Sequence, residues 1–199
     1  MKKYQSTCPF FRYEDEIYEV NARAGLPIFT HQMRKMIEQL ENMQTYHRKV
    51  LVLVFNLHLP TGGYTADNKV IARLFSKVRY GLSKLYDMKR LGYAWCREIM
   101  RSDVQHYHVA LMLNGSKIQF PDKLLSWLGD WWKNSSKGGF LYIPKNCYCM
   151  LHRNDEVNKK ANIIYRLSYL AKVNTKQSRK GRTNDYGTSQ LKPKSDQLK

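Results

Sequence analysis

Ten consecutive residues, 50–59 (VLVLVFNLHL), carry no Lys, Arg, Asp or Glu and are rich in β-branched side chains. A short run of this kind reads as a buried strand, and the chain must build a sheet around it. Downstream of it the chain alternates in type. After the loop Pro60-Thr61-Gly62-Gly63, residues 66–90 place Val70, Ile71, Leu74, Phe75, Val78, Leu82, Leu85 and Tyr86 at a 3.6-residue period, which predicts an amphipathic helix. Residues 92–100 predict a second strand, Arg101-Ser102-Asp103 a turn, and residues 105–113 a third strand closed by Asn114-Gly115. A helix over 121–132 turns Leu124, Leu125, Trp127, Leu128 and Trp131 inward and is broken at Gly138-Gly139. Residues 140–151 hold one or two short strands interrupted by Pro144, and Asn154 or Asp155 caps a last helix that runs to Lys172.

The order β-α-β-β-α-β-α contains the split βαβ, ferredoxin-like arrangement: an α+β fold with an antiparallel sheet and helices on one face. The other face is left for a ligand, covered in part by the last helix. Three segments are expected. Residues 1–49 read as a helical arm, with Thr30 as N-cap and Met33, Met36, Ile37, Leu40 and Met43 at helical spacing. Residues 50–172 form the domain. Residues 173–199 are polar and basic and are expected to be a mobile tail. No apolar run approaches a membrane span, the start MKKYQSTCPFFRYEDE has no secretory h-region, and four cysteines make no disulfide framework. The expectation is a cytoplasmic protein with no membrane partner.

Charge narrows the partner. The net charge is +18, divided as +2 over residues 1–50, +11 over 51–172 and +5 over 173–199. Such an excess calls for a polyanion, and nucleic acid is the default. Lys69, Arg73 and Lys77 form a basic stripe on the first helix, and Lys176, Arg179, Lys180 and Arg182 do the same for the tail.

The chemistry concentrates in two places. His106-Tyr107-His108 lies in the third strand, so its two imidazoles share one face about 7 Å apart and can converge on a cation. Glu98, one strand earlier, stands opposite His106 or His108 if the connection has three or five residues. A four-residue connection sends it to the wrong face. Two His and one carboxylate with open positions suit Mg²⁺ or Mn²⁺ beside a phosphate. The alternative for Glu98 is an ion pair with Arg97 or Arg101. On the last helix, Tyr165, Tyr169 and Lys172 fall at i, i+4 and i+7, with Asn162 extending that face. A phenol with its usual pKa of about 10 needs a neighbouring cation to act as a nucleophile, and Lys172 or the metal supplies one. Cys147-x-Cys149 with His152 lacks the spacing of a zinc site and reads as packing.

His-hydrophobic-His on a strand, an acid one strand earlier and Tyr-x-x-Lys on a later helix resemble the HUH endonucleases of rolling-circle replication. More narrowly, LVFNLHLP, WCREIMRSDVQHYHVALMLNG and YRLSYLAKVNTKQSRKGRTNDYG resemble the YagK/YfjJ C-terminal-domain family. Its members are prophage and satellite proteins grouped with inovirus replication initiators. The resemblance implies a metal-dependent nickase that acts on single-stranded DNA at a replication origin. His106 and His108 would hold the metal with Glu98 as third ligand, and His58 would be a neighbour. Tyr169 would form a 5′-phosphotyrosine, and Tyr165 would be the candidate second nucleophile. No G-x-x-x-x-G-K-[ST] occurs, so a host helicase, with a host polymerase, is the expected partner. A non-catalytic single-strand binder of the same fold is the alternative from a different class. The full set His106, His108, Tyr169 and Lys172 separates the two, because a pure binder has no need of it.

Overall fold

In a computed structural model of the chain, which describes residues 4–99, 105–155, 157–173 and 184–195, the apolar run is strand β5 (Lys49–His58) near the middle of a six-stranded antiparallel sheet. Its neighbours follow from the pleat. Leu51, Leu53, Phe55 and Leu57 point to one face; Val50, Val52 and Val54 point to the other. On one side β5 pairs with β7 (Gln105–Asn114), which pairs with β6 (Gly92–Ile99). On its other side lie β8 (Phe140–Tyr142) and, at the opposite end, β9 (Tyr148–His152). The order β6-β7-β5-β8, with helices α2 (Lys69–Tyr86) and α3 (Asp122–Ser136) as crossovers, is the split βαβ topology of an α+β fold.

The two crossover helices occupy one face, as the sequence predicts. Val70, Ile71, Leu74, Val78, Leu124, Leu128 and Trp132 meet Leu53, Phe55, Tyr107 and Leu111 there. Between α3 and β8 the chain turns on Gly138 (φ 110°) and Gly139. A Cβ on Gly139 would collide with the His58 carbonyl, so only glycine lets β8 close on β5 while the Trp132 indole N–H donates to that same carbonyl at 2.8 Å.

The second face departs from expectation because it has a core of its own. Helix α1 (Thr30–Tyr46), helix α4 (Val157–Leu167) and a 3₁₀ turn (Ser168–Ala171) cover it. Ala94 pairs with Ala110, and these small residues let Met33, Met36, Leu40 and Met43 of α1 pack closely on the sheet. Residues 1–49 are therefore not a helical arm. Strand β1 (Gln5–Ser6) pairs with β4 (Ile28–Phe29), and β2 (Phe10–Tyr13) with β3 (Glu16–Glu19), ahead of α1. Phe11, Tyr13, Tyr18 and Val20 bury against this second core, which leaves Glu14 and Asp15 in the exposed turn and Glu16 and Glu19 exposed on β3. Thr30 is the first residue of α1 rather than its cap, and its hydroxyl donates to the Tyr4 carbonyl. Among the described residues no helix is long and apolar enough to cross a membrane.

The mobile tail also needs correction over its described part. Strand β10 (Tyr186–Thr188) extends the sheet beyond β6. The buried amide of Gln39 accepts from the Ser189 hydroxyl and the Leu191 N–H, and Asn42 donates to the Leu191 carbonyl. Arg97, 1% exposed, donates to Asp185 at 3.0 and 3.3 Å and to the carbonyls of Thr65 and Asp67. These buried polar groups need partners, and the segment supplies them. Lys176, Arg179, Lys180 and Arg182 lie outside the described residues. An Asp185→Ala variant leaves the Arg97 charge buried without its carboxylate and is expected to lose about 3 kcal/mol of stability. Urea denaturation should show a lower midpoint; an unchanged midpoint would mean that this strand is not docked in solution.

Candidate active site

Antiparallel register writes the site as two rows across the second face. Glu98 stands opposite His106, His106 opposite His58, and His58 opposite Phe140. One pleat further, Cys96, His108, Asn56 and Tyr142 align in the same way. At this end of the sheet polar side chains replace the apolar ones that α1 and α4 cover elsewhere.

Three of these groups converge. His108 Nε2 lies 3.1 Å from Glu98 Oε2 and 3.2 Å from His106 Nε2, and His106 Nε2 lies 3.4 Å from Glu98 Oε2. All three residues are buried. Asn56 Oδ1 sits 2.7 Å from His108 Nδ1. With Nδ1–H donated to that oxygen, the neutral ring turns its Nε2 lone pair toward the carboxylate and the second imidazole. Groups this close need a shared proton or a cation among them, and their spacings match neighbouring ligands of one small divalent ion. His106 Nδ1 is buried without a hydrogen-bond partner among the described residues. The cluster can therefore hold a divalent metal, and Asn56 would fix the tautomer of one ligand. Glu98 serves the imidazoles; Arg97 points to the opposite face and pairs with Asp185 instead. His58 is not a member of the cluster. It stacks on His106 at 5.2 Å, and burial with the two neighbouring imidazoles pushes its pKa down.

The tyrosines arrive from the other layer. The last helix is shorter than expected: α4 ends at Leu167 and tightens into the 3₁₀ turn. Ser168 drives the change, since its hydroxyl donates to the Tyr165 carbonyl and accepts the Asn21 N–H at 2.7 Å. Tyr169 then sits edge-on to His108 with ring centroids 5.0 Å apart, and Lys172 Nζ lies 4.5 Å from the Tyr169 centroid. Burial first, then the charges of Glu98 and Cys96, hold the Tyr169 phenol above its usual range. Burial and Arg23 lower the Lys172 ammonium, against Glu98. A pocket of about 350 Å³ opens over His108, lined by Tyr165, Tyr169, Asn56, Asn21, Arg166 and Pro144 among others.

The fold thus gathers Glu98, His106, His108, Tyr169 and Lys172, with Tyr165 on the same pocket. Lys69, Arg73 and Lys77 lie on α2, across the sheet from this cluster. Sequence reasoning missed Asn56, Asn21 and Arg166. Asn56 had a signal, being the amide that interrupts an otherwise apolar run two residues before His58. Asn21 had none, because only the folded N-terminal segment carries it there. Cys147 and Cys149 pack into the two opposite cores.

The family model for the YagK/YfjJ C-terminal domain matches residues 12–189, a span that begins within β2 and takes in β3, α1 and β10 as well as the βαββαβ unit. No curated protein and no solved structure matches the chain.

Asn56→Ala should weaken Mn²⁺ binding by about 10–100-fold, as loss of a group that orients a ligand does. Calorimetric titration with Mn²⁺ checks this; equal affinity in both proteins would remove Asn56 from the metal's surroundings.

Proposed function

We propose that this chain, which belongs to the YagK/YfjJ C-terminal domain family, is a metal-dependent nickase and joiner of single-stranded DNA. In this reading it is an HUH-type initiator of rolling-circle replication for a phage or prophage, acting in the cytoplasm of a bacterial host. The observation that carries the reading is Tyr169 seated edge-on against His108, directly beside the buried Glu98, His106 and His108 cluster.

Glu98, His106 and His108 would hold the ion, and their mixed nitrogen and oxygen donors with open positions suit Mg²⁺ or Mn²⁺ beside a phosphate. Such an ion, when bound, supplies Lewis-acid polarisation of the scissile phosphate. Asn56 orients His108. Tyr169 Oη bonds to phosphorus while the P–O3′ bond breaks. The phenolic proton passes to solvent and the departing 3′ oxygen takes one up, which leaves a 5′-phosphotyrosine and a free 3′-OH. Conserving the phosphodiester in the protein–DNA bond permits rejoining without a nucleotide cofactor. Lys172 places a cation over the Tyr169 ring, where it favours phenolate over phenol. Tyr165, on the same pocket, is positioned for a second transfer. Unwinding and synthesis would fall to a host helicase and polymerase.

The test is a labelled single strand from the origin of the replicon that encodes the protein, incubated with Mn²⁺ and run in SDS. The wild type should give an SDS-resistant adduct. Tyr169→Phe should abolish it while strand binding stays within a factor of a few, and Tyr165→Phe should retain it. Retention in Tyr169→Phe with loss in Tyr165→Phe would reassign the nucleophile. An adduct that forms equally in EDTA would remove the metal from the reaction, and binding without any adduct would leave a non-catalytic strand binder.

A further inference from the structure

The metal-ligand cluster continues outward as a column of parallel rings. His58 stacks on His106 with an interplanar angle of 11°, and Phe140 stacks on His58 at 4.6 Å and 3°. The column crosses from β7 through β5 to β8, roughly 10 Å at ordinary strand spacing. Its last ring is 56% exposed. Tyr142, two residues on and therefore on the same face, is 52% exposed beside Asn56. Exposed aromatics at i and i+2 on the site face of an edge strand have no core to fill. Pro144, just past this strand, lines the pocket that holds Tyr169 and His108, so rings and pocket are continuous.

Charge around the rings selects the occupant. From Trp131 to Asn154 the chain carries Lys133, Lys137, Lys145 and Arg153 and no Asp or Glu. Asp122 and Asp130 of α3 line a hollow with Phe140 and Lys133, and flat exposed rings on a segment that is itself net basic fit unstacked bases on a phosphate backbone. An apolar protein segment would gain nothing from the lysines.

We propose that Phe140 and Tyr142 form a base-stacking platform for the nucleotides that flank the scissile phosphate. The platform deepens the nicking reading and rests on a single strand being the substrate. It is sequence-tolerant, because every base has a face to stack. Positioning a flanking base on a ring fixed to the sheet through His58 and His106 holds the phosphate in register with Tyr169.

The experiment uses the full chain in EDTA, so that no chemistry occurs, and measures anisotropy of a labelled oligothymidylate and of an abasic strand of equal length. Wild type should prefer the base-bearing strand. Phe140→Ala and Tyr142→Ala should each weaken oligothymidylate binding about fivefold or more. Abasic binding should be unchanged, and so should the slope of affinity against salt, since no phosphate contact is lost. Phe140→Trp should restore affinity, which separates stacking from a packing defect. Wild-type affinity in the double alanine variant, or an equal loss on both strands, overturns the platform. An SDS-resistant adduct from that same variant would leave the nicking reading standing. A wild type that binds neither strand overturns both. A base preference that the double alanine variant loses, in a protein that never forms an adduct, keeps base stacking on Phe140 and Tyr142 as strand binding and rejects nicking.

Discussion

One register, that of β6 against β7, governs the site. Arg97 and Glu98 are sequence neighbours with opposite charges, and the pleat sends them to opposite faces. In the observed pairing Glu98 meets the imidazoles and Arg97 meets Asp185. A slip of one residue would exchange them, driving a carboxylate into the core beside Tyr107 and a guanidinium among the imidazoles of His106 and His108. Both errors bury an uncompensated charge, so the alternative register is heavily disfavoured. Strand β10 adds to the lock: it pairs with β6 and, just before it, supplies the Asp185 that Arg97 requires. A segment far down the chain thus helps to fix the geometry of the candidate metal ligands.

The second face of the sheet divides its labour along the strands. Where Ala94, Ala110, Met112, Val50 and Val52 face out, α1 and α4 seal the surface with apolar side chains. Where Asn56 and His108 face out, the layer opens into the pocket beneath the 3₁₀ turn, with Glu98 and His106 buried beside it. Lys172 stands three residues after Tyr169, and side chains three apart eclipse in a 3₁₀ geometry. Such a turn brings the ammonium over the ring.

The strongly periodic parts of the sequence were the legible ones. Residues 50–59 and 105–113 became β5 and β7, and Val70, Ile71, Leu74, Phe75, Val78 and Leu82 became the inner face of α2, with Tyr86 half-buried and Leu85 exposed at its end, because burial on one face imposes period 2 or 3.6. Loop parity made Glu98 against the histidines a conditional expectation, and the register Glu98 opposite His106 meets the condition. The N-terminal strands were not read, although Phe11, Tyr13, Tyr18 and Val20 alternate, because the acidic residues between them mimic a solvated surface. The three residues of β10 carry too little pattern to announce a strand; they are held by Arg97 and Gln39, whose need for partners appears only once both are buried. Tyr169 and Lys172 were placed on a continuous helix, and the break at Ser168 depends on a hydrogen bond from distant Asn21.

Glu98 ties the two halves of the site together electrostatically. Its negative charge is one reason the Tyr169 phenol stays protonated above its usual range. The same carboxylate is the anionic member of the candidate ligand set. Neutralising it, by a cation held among Glu98, His106 and His108, removes a contribution that opposes deprotonation of Tyr169. Lys172 works in the same direction, since a positive charge over the ring favours phenolate. In the proposed nickase this arrangement would keep the Tyr169 phenol protonated while the ligand set is empty and lower the cost of ionising it once a cation is held. Candidate-ligand geometry and the ionisation of Tyr169 then both turn on one buried carboxylate, fixed opposite His106 by a single strand pairing.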